Sequence, residues 1–65
     1  MASRVAGCIE RVRVENGWGY RELAKKLNVS LSQAYEWATG DHEPNLKNLR
    51  RISRRLGVSL TELMA

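Results

Sequence analysis

Between Leu27 and Leu31 the helical periodicity of the chain breaks for only three residues, and that short break most constrains what the chain can fold into. Before it, Leu23, Ala24 and Leu27 recur at helical spacing; after it, Ala34, Trp37 and Ala38 return to one face. The interrupting residues are Asn28-Val29-Ser30. Asparagine is the non-glycine residue that best tolerates a left-handed backbone, the conformation that a sharp turn after a helix requires. Ser30 can cap the following helix, with Gln33 three residues on as partner in a capping box. Gly40 can end that helix. The stretch Tyr20 to Gly40, YRELAKKLNVSLSQAYEWATG, therefore reads as two short helices, 20–27 and 31–39, joined by a tight turn.

The flanks add helices on both sides. Ser3 to Glu15 reads as a first helix, with Val5, Ile9 and Val12 at i, i+4 and i+7 and Cys8 beside them. Arg4, Arg11 and Glu15 can face water. Gly7 weakens that helix by roughly 0.5–1 kcal/mol relative to alanine, so it is expected to mark a close packing contact. Asn16-Gly17 is a stop signal. Trp18 is expected to plug the core, because aromatic residues dominate the cores of small domains. Gly19 can cap the next helix, and Glu22 suits its dipole. Beyond the polar loop Asp41-His42-Glu43-Pro44, Asn45 can cap a helix running to about Leu56, with a core stripe of Leu46, Leu49, Ile52, Ser53 and Leu56. Its five basic residues (Lys47, Arg50, Arg51, Arg54 and Arg55) fall off that stripe, and Gly57 ends it. Ser59 and Glu62 form a capping box for a last short helix carrying Leu60, Leu63 and Met64. There is no strand signal, no repeat and no low-complexity segment. The expected fold is all-α, a single domain over residues 1–65 with its organising motif at 20–40.

Composition bounds the function. At 65 residues the chain is one domain at most, and one of this size buries only about 60% of its unfolded surface. The single cysteine, Cys8, rules out an internal disulfide and fits a reducing cytosol. No apolar run approaches the roughly 20 residues of a membrane span, and MASRVAGCIERV carries charge where a signal peptide has its apolar core. A cytoplasmic protein without membrane contact is expected. The net charge of +4 favours an anionic partner such as nucleic acid.

The two helices and their turn, followed by Gly40, Pro44, Leu46, Leu49, Ile52 and the run Leu56-Gly57-Val58-Ser59-Leu60-Thr61-Glu62-Leu63, resemble the Cro/repressor-type helix-turn-helix family over roughly residues 5 to 64. The resemblance implies a compact five-helix repressor-like domain that binds double-stranded DNA and regulates transcription, by repression, in a bacterial, archaeal or phage setting. In such a motif the N-terminal residues of the second helix meet base edges in the major groove, and the first helix crosses the backbone. Leu31, Ser32, Gln33 and Glu36 are thereby nominated as base contacts. Glutamine can pair with adenine, glutamate can accept from the cytosine amino group, and leucine can touch a thymine methyl. The resemblance places Arg13, Tyr20, Arg21, Tyr35, Thr39, Asn45 and Lys47 on or beside the phosphate backbone. At two positions the chain departs from the family's pattern. Tyr20 stands where glutamine is common, and Ala38 stands where a glutamate commonly pairs with the arginine at position 13, which leaves Arg13 for phosphate or for another partner. The family commonly binds palindromic operators as dimers, and Leu60, Leu63 and Met64 are the candidate dimer interface of a weak or DNA-assisted homodimer. That apolar face can equally belong to the chain's own core.

The charge distribution opposes a simple DNA-binding story. Residues 1–27 carry six Lys/Arg, residues 46–65 carry five, and residues 28–45 carry none against Glu36, Asp41 and Glu43. The candidate reading helix is the acidic part of a basic protein. An alternative is therefore an interaction module, antitoxin-like or a phage accessory protein, whose acidic third helix binds protein. Gln33 can be no more than a cap, and Glu36 no more than a solvated residue. The arginines at 50, 51, 54 and 55 can be a solvated face, meet an acidic protein or flank bent DNA. Catalysis has little support: His42 is the only histidine and lies in a polar loop, and no second His or Cys at ligand spacing suggests a metal. No enzyme, metal or cofactor is expected.

Overall fold

Side-chain caps set where the helices begin. The computed structural model describes residues 3–65. In it five helices follow one another: α1 (Arg4–Glu15), α2 (Tyr20–Leu27), α3 (Leu31–Thr39), α4 (Leu46–Leu56) and α5 (Leu60–Met64). Ser3, Ser30, Asn45 and Ser59 each accept the backbone N–H three residues on, from Ala6 at 2.9 Å, Gln33 at 3.1 Å, Asn48 at 2.8 Å and Glu62 at 3.0 Å. Gly19 has no side chain to offer at the start of α2. There Glu22 reaches back instead, its carboxylate accepting the Gly19 N–H at 3.3 Å. Of the two capping boxes expected from sequence, only the serine halves form among the described residues. Glu62 turns instead to Arg11, 3.4 Å away.

Left-handed residues set where the helices end. Asn28 stands at φ 59°, Gly40 at 87° and Gly57 at 71°. Asn28 is the only non-glycine residue with positive φ among the described residues, so the expected turn is made at the expected asparagine.

The core is drawn from all five helices. Ile9, Leu23, Leu27, Ile52 and Leu63 are wholly buried, and Val5, Cys8, Ala24, Ala34, Trp37, Ala38 and Leu49 pack with them. Each large side chain among these stabilises the fold by about 1.5–3 kcal/mol. α1 packs on α3 and α5, α2 on α3 and α4, and α4 on α5. Ala34 and Ala38 are small where α3 is buried, which lets it sit close to its neighbours.

Four expectations need correction. Leu46 is 54% exposed and outside the core stripe, where it lines a surface groove with Lys47, Arg50, Arg54 and Leu60 instead. Ser53, also assigned to that stripe, is half-buried and spends its hydroxyl on the Val58 carbonyl, tying the end of α4 to the approach to α5. Gly7 marks no close contact: it is exposed, and a Cβ there would meet nothing within 4 Å. Trp18 is only half-buried, packed against the rim of the core with the Lys26 ammonium 5.5 Å from its ring.

Candidate nucleic-acid interface

The turn at Asn28 brings the first turns of α2 and α3 side by side. Leu31, Ser32 and Tyr35 of α3 are exposed, Leu31 by 44% and Tyr35 by 48%. With Tyr20, Arg21 and Glu36 they border an open groove of about 790 Å³. Gln33 points to the other flank. There it lines a smaller hollow of about 300 Å³ together with His42, Pro44, Asn45 and Asn48. Glu36 belongs to both hollows and so occupies the middle of the exposed face. Its carboxylate lies 3.1 Å from His42 Nδ1. The structure thus gathers the four candidate base-reading residues on one surface, with Glu36 central and Gln33 at the margin.

Behind this surface lies a polar and aromatic network. Arg13 Nη2 donates to Glu10 Oε2 at 2.9 Å, its Nε donates to Glu10 Oε1, and its Nη1 donates to the Trp18 carbonyl at 2.8 Å. The guanidinium also lies 4.3 Å from the centre of the Tyr20 ring. Tyr20 donates its hydroxyl to Glu10 Oε2 at 3.2 Å, and its ring meets that of Tyr35 edge-on, with centroids 5.1 Å apart. Arg13's hydrogen bonds hold the Glu10 carboxyl below its ordinary range, against the opposing effect of its partial burial. Burial pushes the Tyr20 hydroxyl up, and the nearby Glu10 charge adds to the effect. Three of the five N–H groups of Arg13 are therefore taken within the chain. With Ala38 in place of an acidic partner, it has turned to a glutamate one turn earlier in its own helix. Tyr20 likewise spends its hydroxyl inward.

The remaining candidates divide by what their polar atoms already do. Arg21 and Lys47 are exposed. Asn45 uses its side-chain oxygen as a cap, while its amide nitrogen is not part of that bond. Thr39 donates its hydroxyl to the Tyr35 carbonyl at 2.9 Å and must release it to donate elsewhere. Leu63 is fully buried within the chain, so of the expected dimer residues only exposed Met64 and half-buried Leu60 have surface to offer a second copy. Leu60 lines a groove of about 680 Å³ with Leu46, Lys47, Arg50 and Arg54. Arg55 donates to the Lys26 carbonyl at 2.7 Å, across to α2. Among the described residues no group of His, Cys, Asp and Glu is placed to hold a metal.

Sequence reasoning missed Glu10 and the His42 contact to Glu36. Glu10 and Arg13 at i, i+3 were a legible pair; the His42 contact depends on how the loop after Gly40 folds back.

An all-helical domain with an exposed second helix after a tight turn defines a helix-turn-helix protein. The family model described as Helix-turn-helix matches residues 9–63, and the chain belongs to that family, of the Cro/repressor type. Neither the curated proteins nor the solved structures searched yielded a match. The family is one of DNA-binding regulators. No described helix is long and apolar enough to cross a membrane.

Proposed function

We propose that this protein represses transcription by binding a palindromic operator, reading bases with Leu31, Ser32, Gln33 and Glu36. The observation that carries this reading is the exposure of Leu31, Ser32 and Tyr35 on α3 beside the start of α2, across one open groove. Arg21, Lys47 and the amide of Asn45 are the phosphate contacts; Thr39 joins them by giving up its intrahelical bond. Tyr35 borders the footprint. A second copy meets the first through Leu60, Met64 and Leu46. Lys47, Arg50 and Arg54 beside that patch repel their counterparts across a two-fold axis, so the dimer is weak until DNA phosphates neutralise them.

A second reading has its own support. The α2–α3 groove has an apolar floor of Leu31 and Tyr35 and carries Glu22, Glu36 and Asp41, which suits a basic protein partner better than phosphate. Fluorescence anisotropy at several salt concentrations separates the two, with the promoter DNA beside the gene and a pool of random duplexes. Tight promoter binding with a steep salt slope, and much weaker binding to the pool, supports the regulator. No binding even at low salt, where non-specific attraction is strongest, removes it in favour of the interaction module.

A further inference from the structure

Glu10 and Arg13 lie outside the groove beside α3, and Tyr20, which both of them hold, lines it. Glu10 is on α1, two helices away from α3 in sequence. Its carboxylate fixes two groups at once: the Arg13 guanidinium, held from three sides, and the Tyr20 hydroxyl at 3.2 Å. Arg13 covers one face of the Tyr20 ring at 4.3 Å. The ring is thus clamped by its hydroxyl and by its face, and presents itself to Tyr35 at an interplanar angle of 72°. Tyr35 is 48% exposed. The edge contact with Tyr20 gives its ring a direction, and Leu31 lies one helical turn before it on the same groove.

We propose that Glu10 is a positioning residue for DNA reading, acting through the Tyr20 ring to fix Tyr35, whose ring in turn limits where the base-facing Leu31 side chain can lie in the groove they share. This rests on the regulator reading above. It assigns Tyr20 a role as a strut rather than a phosphate contact, which accounts for an aromatic residue where a polar one is common. The arrangement is preorganised: the rotamer of an exposed aromatic is set before DNA arrives, so less freedom is lost on binding.

The test uses Glu10→Gln, which keeps the shape and removes the charge, and Tyr20→Phe, which removes only the tether to Glu10. Two readouts are needed. The first is the Tyr35 ring resonances in NMR spectra of the free protein. The second is the ratio of affinities for the promoter duplex and a random pool. Glu10→Gln is expected to shift the Tyr35 resonances and to lower the affinity ratio by about 2- to 30-fold. Tyr20→Phe is expected to do the same to a smaller extent, because the ring contact survives. In a Tyr35→Ala background, Glu10→Gln is expected to lower the ratio no further. A Glu10→Gln variant that melts earlier but leaves the Tyr35 resonances and the ratio unchanged overturns the proposal and makes the cluster a purely structural staple. Should Glu10→Gln not fold, Tyr20→Phe decides on the same two readouts. Should no duplex bind at all, the regulator reading fails, and unmoved Tyr35 resonances would separately remove the strut.

Discussion

Trp37 is 3% exposed, on the inner side of α3. Truncating it to alanine is expected to cost about 3–5 kcal/mol, close to the whole stability of many small domains. Urea unfolding measures this directly, and a midpoint near that of the wild type would show that the indole contributes little to the core. Glu10 makes a different kind of prediction. Hydrogen bonds from Arg13 hold its carboxyl below the ordinary value of 4.5, outweighing desolvation, and the Arg13 charge and the Tyr20 hydroxyl act in the same lowering direction. A carboxyl whose folded pKa is depressed binds protons less readily in the folded chain than in the unfolded one. Its contribution is then fully present above the unfolded pKa and is lost as pH falls through the folded one. The stability advantage of wild type over Glu10→Gln is thus expected to hold steady at neutral pH and to shrink in the acid range below 4.5. Unfolding midpoints for both proteins at neutral pH and near pH 3 check it, since a pH-independent difference would mean that the charge of Glu10 is irrelevant. Glu10 is half-exposed, so the effect is reduced by solvent screening.

At the scale of elements, the α2–α3 turn was legible in the sequence because everything that makes it is local. Asn28, Ser30 and Gly40 act through their own backbone and first neighbours, and each stands where its chemistry predicts. Asn28→Ala is expected to cost about 1 kcal/mol, because alanine keeps the left-handed Cβ without asparagine's tolerance of that region, whereas Asn28→Gly removes the Cβ and is expected to be neutral or stabilising; equal losses in thermal unfolding would contradict the backbone explanation. What failed was whatever depends on a neighbour's extent. Leu46 keeps the spacing of the α4 stripe, but periodicity does not report whether a neighbour covers the first turn, and Leu46 is left exposed. Leu63 shows an apolar face, but spacing alone does not say whether the chain's own core or a second copy covers it. Arg13 has a candidate partner in its own helix, and only the packed structure shows that Glu10 holds it while Tyr20 covers it. On α3 itself, Glu36 sits centrally with His42 3.1 Å from its carboxylate. Glu36→Gln is expected to raise affinity for every duplex while changing preference at one base pair by about 1–3 kcal/mol. Binding to a panel of single-base operator variants reads both effects, and an unchanged preference would leave Glu36 a bystander.

The whole molecule measures 24 × 23 × 20 Å. Half-sites one helical turn apart lie about 34–36 Å from centre to centre, so two copies bound there leave about 10 Å between their main envelopes, even with the longest axis along the DNA. Two facing layers of side chains fill that interval, and no broad interface fits in it. The groove of Leu46 and Leu60 with its cations, and Met64 exposed on the same short helix as Leu60, form the contact proposed above. In the proposed dimer salt would screen the repulsion between Lys47, Arg50 and Arg54 and their counterparts, so self-association is expected to strengthen as salt rises, while DNA binding weakens. Sedimentation equilibrium across a salt series, without DNA, tests this; a dimer that dissociates with salt would mean that attraction, not repulsion, dominates the interface. The absence of Lys and Arg from residues 28–45 bears on traffic as well as on contact. Non-specific attraction to a genome comes almost entirely from phosphate neutralisation, and competing sites outnumber the operator by about 10⁶–10⁹. A reader whose base-facing helix is uncharged or acidic is held less by that excess. More of its molecules stay in solution, its stops on stray sequence are shorter, and it searches by hopping more than by sliding. Fewer copies per cell then suffice to keep one operator filled.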